Sequence, residues 1–141
     1  MKNEKQLQAA IVLAYRQKYA PKERGMLWAT LNRTLSQRDG QTQRATGLVP
    51  GVADLLYFEN EVFAGFEVKF PGNKHDAGHI KQQYDWGCEM EANGGFYFII
   101  TSVAAFWAII ETNDINVIHP DIYRLVYIKK LIDTGKKTLI F

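Results

Sequence analysis

The sequence predicts a single α/β domain over residues 1–141, with a mixed central sheet flanked by helices on both sides. Three observations point there. The 141 residues are 47% hydrophobic, 13% aromatic and 23% charged. That is the composition of one globular domain, and it excludes a collagenous, disordered or disulfide-stapled chain. Helical spacing and strand-like runs follow one another in the order helix, three strands, helix, strand, helix. No internal repeat, low-complexity stretch or linker interrupts that order. At this size folding buries roughly 68% of the unfolded surface, so a metal ion would serve chemistry rather than hold the core together.

The first element is a helix over 3–19. Leu7, Ala10, Ile11 and Ala14 recur on one face, Asn3 is suited to cap the start, and Pro21 ends it. An apolar run over 26–35 reads as a strand. The polar stretch 36–47, punctuated by Gly40 and Gly47, reads as a loop carrying Arg38 and Arg44. Residues 52–58 and 62–70 form two strand-like segments joined by Glu59-Asn60-Glu61, the pattern of a hairpin, and Pro71-Gly72-Asn73 stops the second.

A helix is expected over 80–92, with Tyr84 and Cys88 on its buried face and Gly94-Gly95 after it. Residues 96–100 form an aromatic and β-branched run suited to a strand buried on both faces. Val103, Phe106, Trp107 and Ile110 follow the spacing of an amphipathic helix, capped by Thr101 or Ser102. The uncharged stretch 92–110 is no membrane span, because residues 96–110 as a helix would cover only about 22 Å of a hydrocarbon core of roughly 30 Å. Residues 122–131 and 137–141 suggest a terminal hairpin across Asp133-Thr134-Gly135, with a helix over the first segment as the alternative.

The lone Cys88 has no partner for a bridge, and Met1 to Lys5 carry no apolar signal-peptide core behind them, so a cytoplasmic protein is expected. The net charge of +2 hides an uneven distribution. The first fifty residues hold nine Lys or Arg against three acids, and the remainder eight against twelve. A basic first third permits a polyanion-facing surface, although a solvated helix face has the same composition.

The informative cluster is Asp54 on the first hairpin strand with Glu67-Val68-Lys69 on the second. Side chains alternate along a strand, so Glu67 and Lys69 share one face while Phe66 and Val68 take the other. Antiparallel pairing brings Asp54 beside them. Two converging carboxylates suit a divalent cation of the hard, oxygen-loving kind, Mg2+ with Mn2+ as a substitute, which keeps several waters and needs few protein ligands. The plain alternative is a cross-strand salt bridge of Lys69 with Glu67 or Asp54 on a solvated sheet face. His75 and His79 stand four apart, but Asp76-Ala77-Gly78 between them reads as a loop or helix start, and no further soft ligand is near.

The text Gly51-Val52-Ala53-Asp54, then Glu67-Val68-Lys69, then Gln82-Gln83-Tyr84-Asp85-Trp86, with an acid in the first helix and an apolar strand after Gly94-Gly95, resembles the PD-(D/E)XK nuclease superfamily. Within that superfamily it is similar to the VRR-NUC family of virus-type replication and repair nucleases. The resemblance covers roughly residues 4 to 101. It departs from the family at Ala53, where proline is common. It implies a restriction-endonuclease-like core. It further implies that Asp54, Glu67 and the backbone carbonyl of Val68 are metal ligands, that Lys69 positions water or stabilises developing charge, and that Gln83 is the motif glutamine, with Gln82 as competitor. Glu4 matches the first-helix acid, a position also favoured by the helix N-terminus on electrostatic grounds alone.

The expected function is magnesium-dependent, structure-selective cleavage of branched or flapped DNA, without a nucleotide cofactor or a membrane. Arg33, Arg38, Arg44, Lys74, His75 and Lys81, with Lys2 and Lys5, are candidates for phosphate contacts. A noncatalytic DNA-binding module and a sequence-specific restriction activity are the alternatives. The resemblance also implies a homodimer. The apolar residues Ile122, Tyr123, Tyr127, Ile128 and Phe141 support that expectation, or else form a tail packed on its own domain.

Overall fold

A computed structural model describes residues 2–19, 23–30, 49–112 and 114–141. Helix α1 (Glu4–Lys18) leads into strand β1 (Met26–Ala29). Strands β2 (Leu55–Glu59), β3 (Val62–Val68) and the short β4 (Lys74–Asp76) follow, and then helix α2 (Ala77–Ala92). The chain continues through β5 (Phe96–Ile100), α3 (Val103–Thr112), β6 (Ile122–Tyr123), α4 (Leu125–Ile132) and β7 (Thr138–Ile140). Five strands form a mixed sheet in the order β1-β2-β3-β5-β6, with β3 and β5 parallel and the other pairs antiparallel. The expected α/β class with a mixed, helix-flanked sheet is therefore present.

Alternation along the strands divides the interior in two. Phe66, Val68, Phe98 and Ile100 point to one face, where they meet Leu7, Ile11 and Tyr15 of α1 and Phe106 of α3. Tyr97 and Ile99 point to the other, toward Ile80 of α2 and Ile128 of α4. Each apolar side chain buried this way contributes about 1.5–3 kcal/mol, so both layers are strongly specified, and so is the register that separates them.

Most local expectations hold. The Asn3 side chain accepts from the Gln6 amide and caps α1, and Ser102 caps α3 through the Ala105 amide at 3.0 Å. The β2–β3 hairpin turns on Asn60 and Glu61, both in the left-handed region at φ 47° and 68°, which matches the twist a two-residue turn requires. The strand expected over 26–35 is seen as β1 at its start, and its residues 31–35 lie outside the described residues, as does the loop 36–47.

Several expectations are corrected. The terminal hairpin does not form: 125–132 is a helix, and β7 pairs antiparallel with β4, His75 opposite Leu139. The pattern at Leu125, Ile128, Leu131 and Ile132 is helical, and it buries Ile128. Helix α2 begins three residues earlier than expected, because Asp76 caps it by accepting from the His79 amide at 3.1 Å. Its fully buried positions are Ile80 and Gly87, while Tyr84 and Cys88 are half-buried. Tyr15, not Ala10 or Ala14, completes the buried face of α1.

Of the residues invoked for a dimer, Ile128 and Phe141 are buried in the second core layer and Tyr123 packs against it, while Ile122 packs against the first. Tyr127 alone among the five stays exposed. The tail thus packs on its own domain. Among the described residues no helix is long and apolar enough to cross a membrane.

Candidate active site

The site forms where β2 begins and β3 ends, on the sheet face covered by α2. The pairs Leu55–Phe66 and Leu56–Gly65 fix the register, so Asp54 lies one step beyond, beside Glu67 and Val68. Its backbone is tied down by β1: the Thr30 amide donates to the Asp54 carbonyl at 2.9 Å, and the Thr30 hydroxyl donates to the Ala53 carbonyl at 2.5 Å. The Asp54 carboxylate accepts from the Val68 amide at 2.9 Å. The Lys69 amide, one residue on, donates to Ile100 of β5 at 3.0 Å. Backbone polar groups alternate in direction along a strand, so the Val68 carbonyl points to the Asp54 side with its own amide.

Glu67 and Lys69 are 3% and 6% exposed, and their charged ends lie 3.3 Å apart. The ion pair of the plain alternative exists, but it is buried rather than solvated, and it does not use up the acids. Gln83 donates to Glu67 Oε1 at 2.9 Å, the same oxygen that faces Lys69. The other oxygen, Oε2, is buried without a hydrogen-bond partner. The carboxyls of Asp54 and Glu67 are within hydrogen-bonding distance of each other. Burial raises the Asp54 pKa, and the Val68 amide offsets part of that. Burial, followed by the neighbouring Asp54 carboxylate, pushes Glu67 well above the usual carboxylate range, with Lys69 opposing. One lysine thus stands against two desolvated acids.

Two glycines allow this packing. Gly51 adopts φ +84°, and a Cβ there would lie 2.6 Å from the Gln82 carbonyl, so the turn before Asp54 sits directly on the helix that carries Gln83. At Gly65 a Cβ would lie 3.0 Å from the Trp86 ring and 3.1 Å from Ala53. Ile80, Gln83 and Gly87 share the sheet-facing side of α2, whereas Gln82 is exposed. Helix phase turns Gln83 and not Gln82 toward Glu67.

Glu4, at the start of α1, acts on Asp54 electrostatically. Its carboxylate lies 3.5 Å from His75 Nε2. The imidazole, packed against Phe141, is turned inward, and burial, then nearby Lys69, lowers its pKa. His75 Nε2 lies near Glu4 without a hydrogen bond, and His79 is on a different element, exposed on α2. Lys74 and Lys5 border a surface groove with Glu4 and His75, while Lys81 is exposed and paired with Asp85 at 2.6 Å. Arg33, Arg38 and Arg44 lie outside the described residues.

One group near the site carries no signal in the motif: Tyr97, fully buried on β5, with its hydroxyl unpartnered. The sole hint is a hydroxyl in the otherwise apolar run Phe96-Tyr97-Phe98-Ile99-Ile100.

A divalent cation fits the residues present. Two acids stand together, the proton that the raised Glu67 pKa retains is one a cation would displace, and Glu67 Oε2 is buried without a partner in the structure. Among the described residues no group of three His, Cys, Asp or Glu side chains is placed to hold an ion. The side-chain donors of Asp54 and Glu67 are oxygens, the kind that binds Mg2+ with one or two carboxylates and water. No protein-family model, curated protein or solved structure matches the chain.

Proposed function

We propose that this chain is a magnesium-dependent endonuclease that hydrolyses phosphodiester bonds in DNA, on a PD-(D/E)XK core of the VRR-NUC type. The observation that carries the reading is the cluster of half-buried Asp54 with buried Glu67 and Lys69, in which the acids outnumber the base. A bound Mg2+ would supply Lewis acidity toward the phosphate and lower the pKa of an attacking water. Asp54, Glu67 and the Val68 carbonyl would hold it. Gln83 and Lys69 fix one Glu67 oxygen, so the other is presented without a rotamer search. The Lys69 ammonium, held in place beside Glu67, is preorganised to stabilise negative charge as it develops on the phosphate. Glu4 and His75 lie together at the rim of the same site.

A noncatalytic binding module would gain nothing from this trio, because a surplus buried carboxylate destabilises a fold unless something neutralises it. Branched or flapped DNA is the substrate class the family resemblance favours, since sequence reading needs an element that contacts base edges. The test is incubation with labelled linear, flap and four-way-junction DNA in magnesium. Faster cleavage of the branched substrates is expected. Equal or faster cutting of the linear duplex at one sequence would instead indicate a restriction-type enzyme, and binding without cleavage of any substrate would favour the module.

Lys69→Ala is expected to lower the cleavage rate by about 10²–10³-fold, the scale for removing one preorganised donor. Calorimetry should find Mg2+ binding retained, since an ammonium cannot ligate a cation. Loss of Mg2+ binding would refute that role.

DNA affinity should fall steeply with salt, because phosphate contacts release counterions. Replacing Arg38 and Arg44 together is expected to reduce the slope of log affinity against log salt by about 0.9 for each phosphate no longer neutralised. An unchanged slope would remove both residues from the DNA surface.

A further inference from the structure

Tyr97 is fully buried, and its hydroxyl has no hydrogen-bond partner. It stands opposite Gly65 in the β3–β5 register, one same-face step before Glu67 opposite Ile99, so it shares a sheet face with Glu67. Its ring is clamped there. Trp86 packs edge-on at 6.0 Å, the Tyr97 amide donates to Glu91 at 3.0 Å, and Gly87 makes room above it, since a Cβ at Gly87 would lie 2.6 Å from the ring. The hydroxyl feels the Glu67 and Asp54 carboxylates, and burial together with these two charges holds its pKa well above the ordinary tyrosine value. Glu67 Oε2 is buried and unpartnered in the same layer. One face therefore holds two buried polar atoms, the Tyr97 hydroxyl and Glu67 Oε2, that make no hydrogen bond in the structure. A phenylalanine at this position would fill the same space without desolvating a hydroxyl, which is unfavourable when left unpaired.

We propose that Tyr97 is a positioning residue for Glu67: in the cation-loaded site its hydroxyl donates to Oε2, the oxygen that Gln83 and Lys69 leave free. A hydrogen bond to a charged carboxylate is roughly twice as strong as one to a neutral group. Tyr97 would then orient a ligating carboxylate from behind, as outer-shell partners do in metal sites. This inference rests on the cation reading of the Asp54–Glu67 pair.

The test is Tyr97→Phe, compared with the parent by two measurements that do not depend on catalysis. Calorimetric titration with Mn2+ is expected to show affinity reduced at least threefold, and on the order of 10-fold, the lower end of what outer-shell substitutions cost. The midpoint of thermal unfolding in chelator is expected to stay level or rise, because the variant removes an unpaired hydroxyl. A change in Mn2+ affinity smaller than threefold would overturn the proposal while leaving the cation site standing. A metal-free variant several degrees less stable would also overturn it, since the hydroxyl would then be a structural partner. If the parent itself binds no Mn2+, the cation reading fails and Tyr97's role falls with it.

Discussion

Asp54→Ala and Glu67→Ala are each expected to reduce magnesium-dependent cleavage by about 10³-fold or more while DNA affinity changes only a few-fold. The magnitude follows from removing a carboxylate that holds the Lewis acid, a contribution of several kcal/mol at about 1.4 kcal/mol per tenfold in rate. The selectivity follows from position. Glu67 is buried and Asp54 spends one oxygen on the Val68 amide, so neither is available to a phosphate, and removing a negative charge does not weaken attraction to a polyanion. Gel-shift titration in calcium or chelator measures the affinity, and single-turnover cleavage in magnesium measures the chemistry. A variant that cuts at the parent rate would place the active site elsewhere.

Glu67→Gln is expected to stabilise the metal-free protein, and to do so more strongly as pH rises. Burial raises the Asp54 and Glu67 pKa values, and their proximity adds to the Glu67 shift. The folded state therefore holds protons that the unfolded chain releases at ordinary carboxylate pH. Stability falls wherever the folded state binds more protons than the unfolded, so the parent loses stability as pH climbs from the unfolded pKa of roughly 4.3 through the folded values. The amide that replaces the Glu67 carboxyl cannot ionise, and it leaves Lys69 balanced by Asp54 alone. The difference in unfolding midpoint between variant and parent should be near zero at about pH 4 and roughly 3–10 °C in favour of the variant at about pH 7.5, for about 1–3 kcal/mol of uncompensated buried charge. Magnesium should narrow that gap, because it binds the folded parent and not the unfolded chain. A variant less stable than the parent at neutral pH would mean that the carboxylate is a structural ion-pair partner and not a vacant ligand.

What was legible in the sequence follows the range of the interactions involved. The β2–β3 hairpin, β5 and α3 are dictated locally: alternation, a two-residue turn and helical spacing are all written within a few residues of each other. The placing of Asp54 beside Glu67 was also readable, because hairpin register follows from the turn. The β4–β7 pairing was not, since it joins Lys74 to Ile140 across the length of α2, β5, α3 and α4, and three-residue strands carry no periodicity. Without that pairing the approach of His75 to the first-helix acid Glu4 is hidden. The choice of Gln83 over Gln82 rested on motif spacing, and it is helix phase relative to Ile80 and Gly87 that decides it. Tyr97 escaped because an aromatic in an apolar strand reads as core, and only the absence of a partner for its hydroxyl marks it out.

The most direct measurement is cleavage of labelled branched DNA by the purified parent protein, run in magnesium and again with excess chelator. Products that accumulate in magnesium, vanish in chelator and are missing from the Asp54→Ala reaction are the predicted result. No cleavage of any DNA in magnesium or manganese, or cleavage undiminished by chelator, would contradict a metal-dependent nuclease centred on Asp54, Glu67 and Lys69.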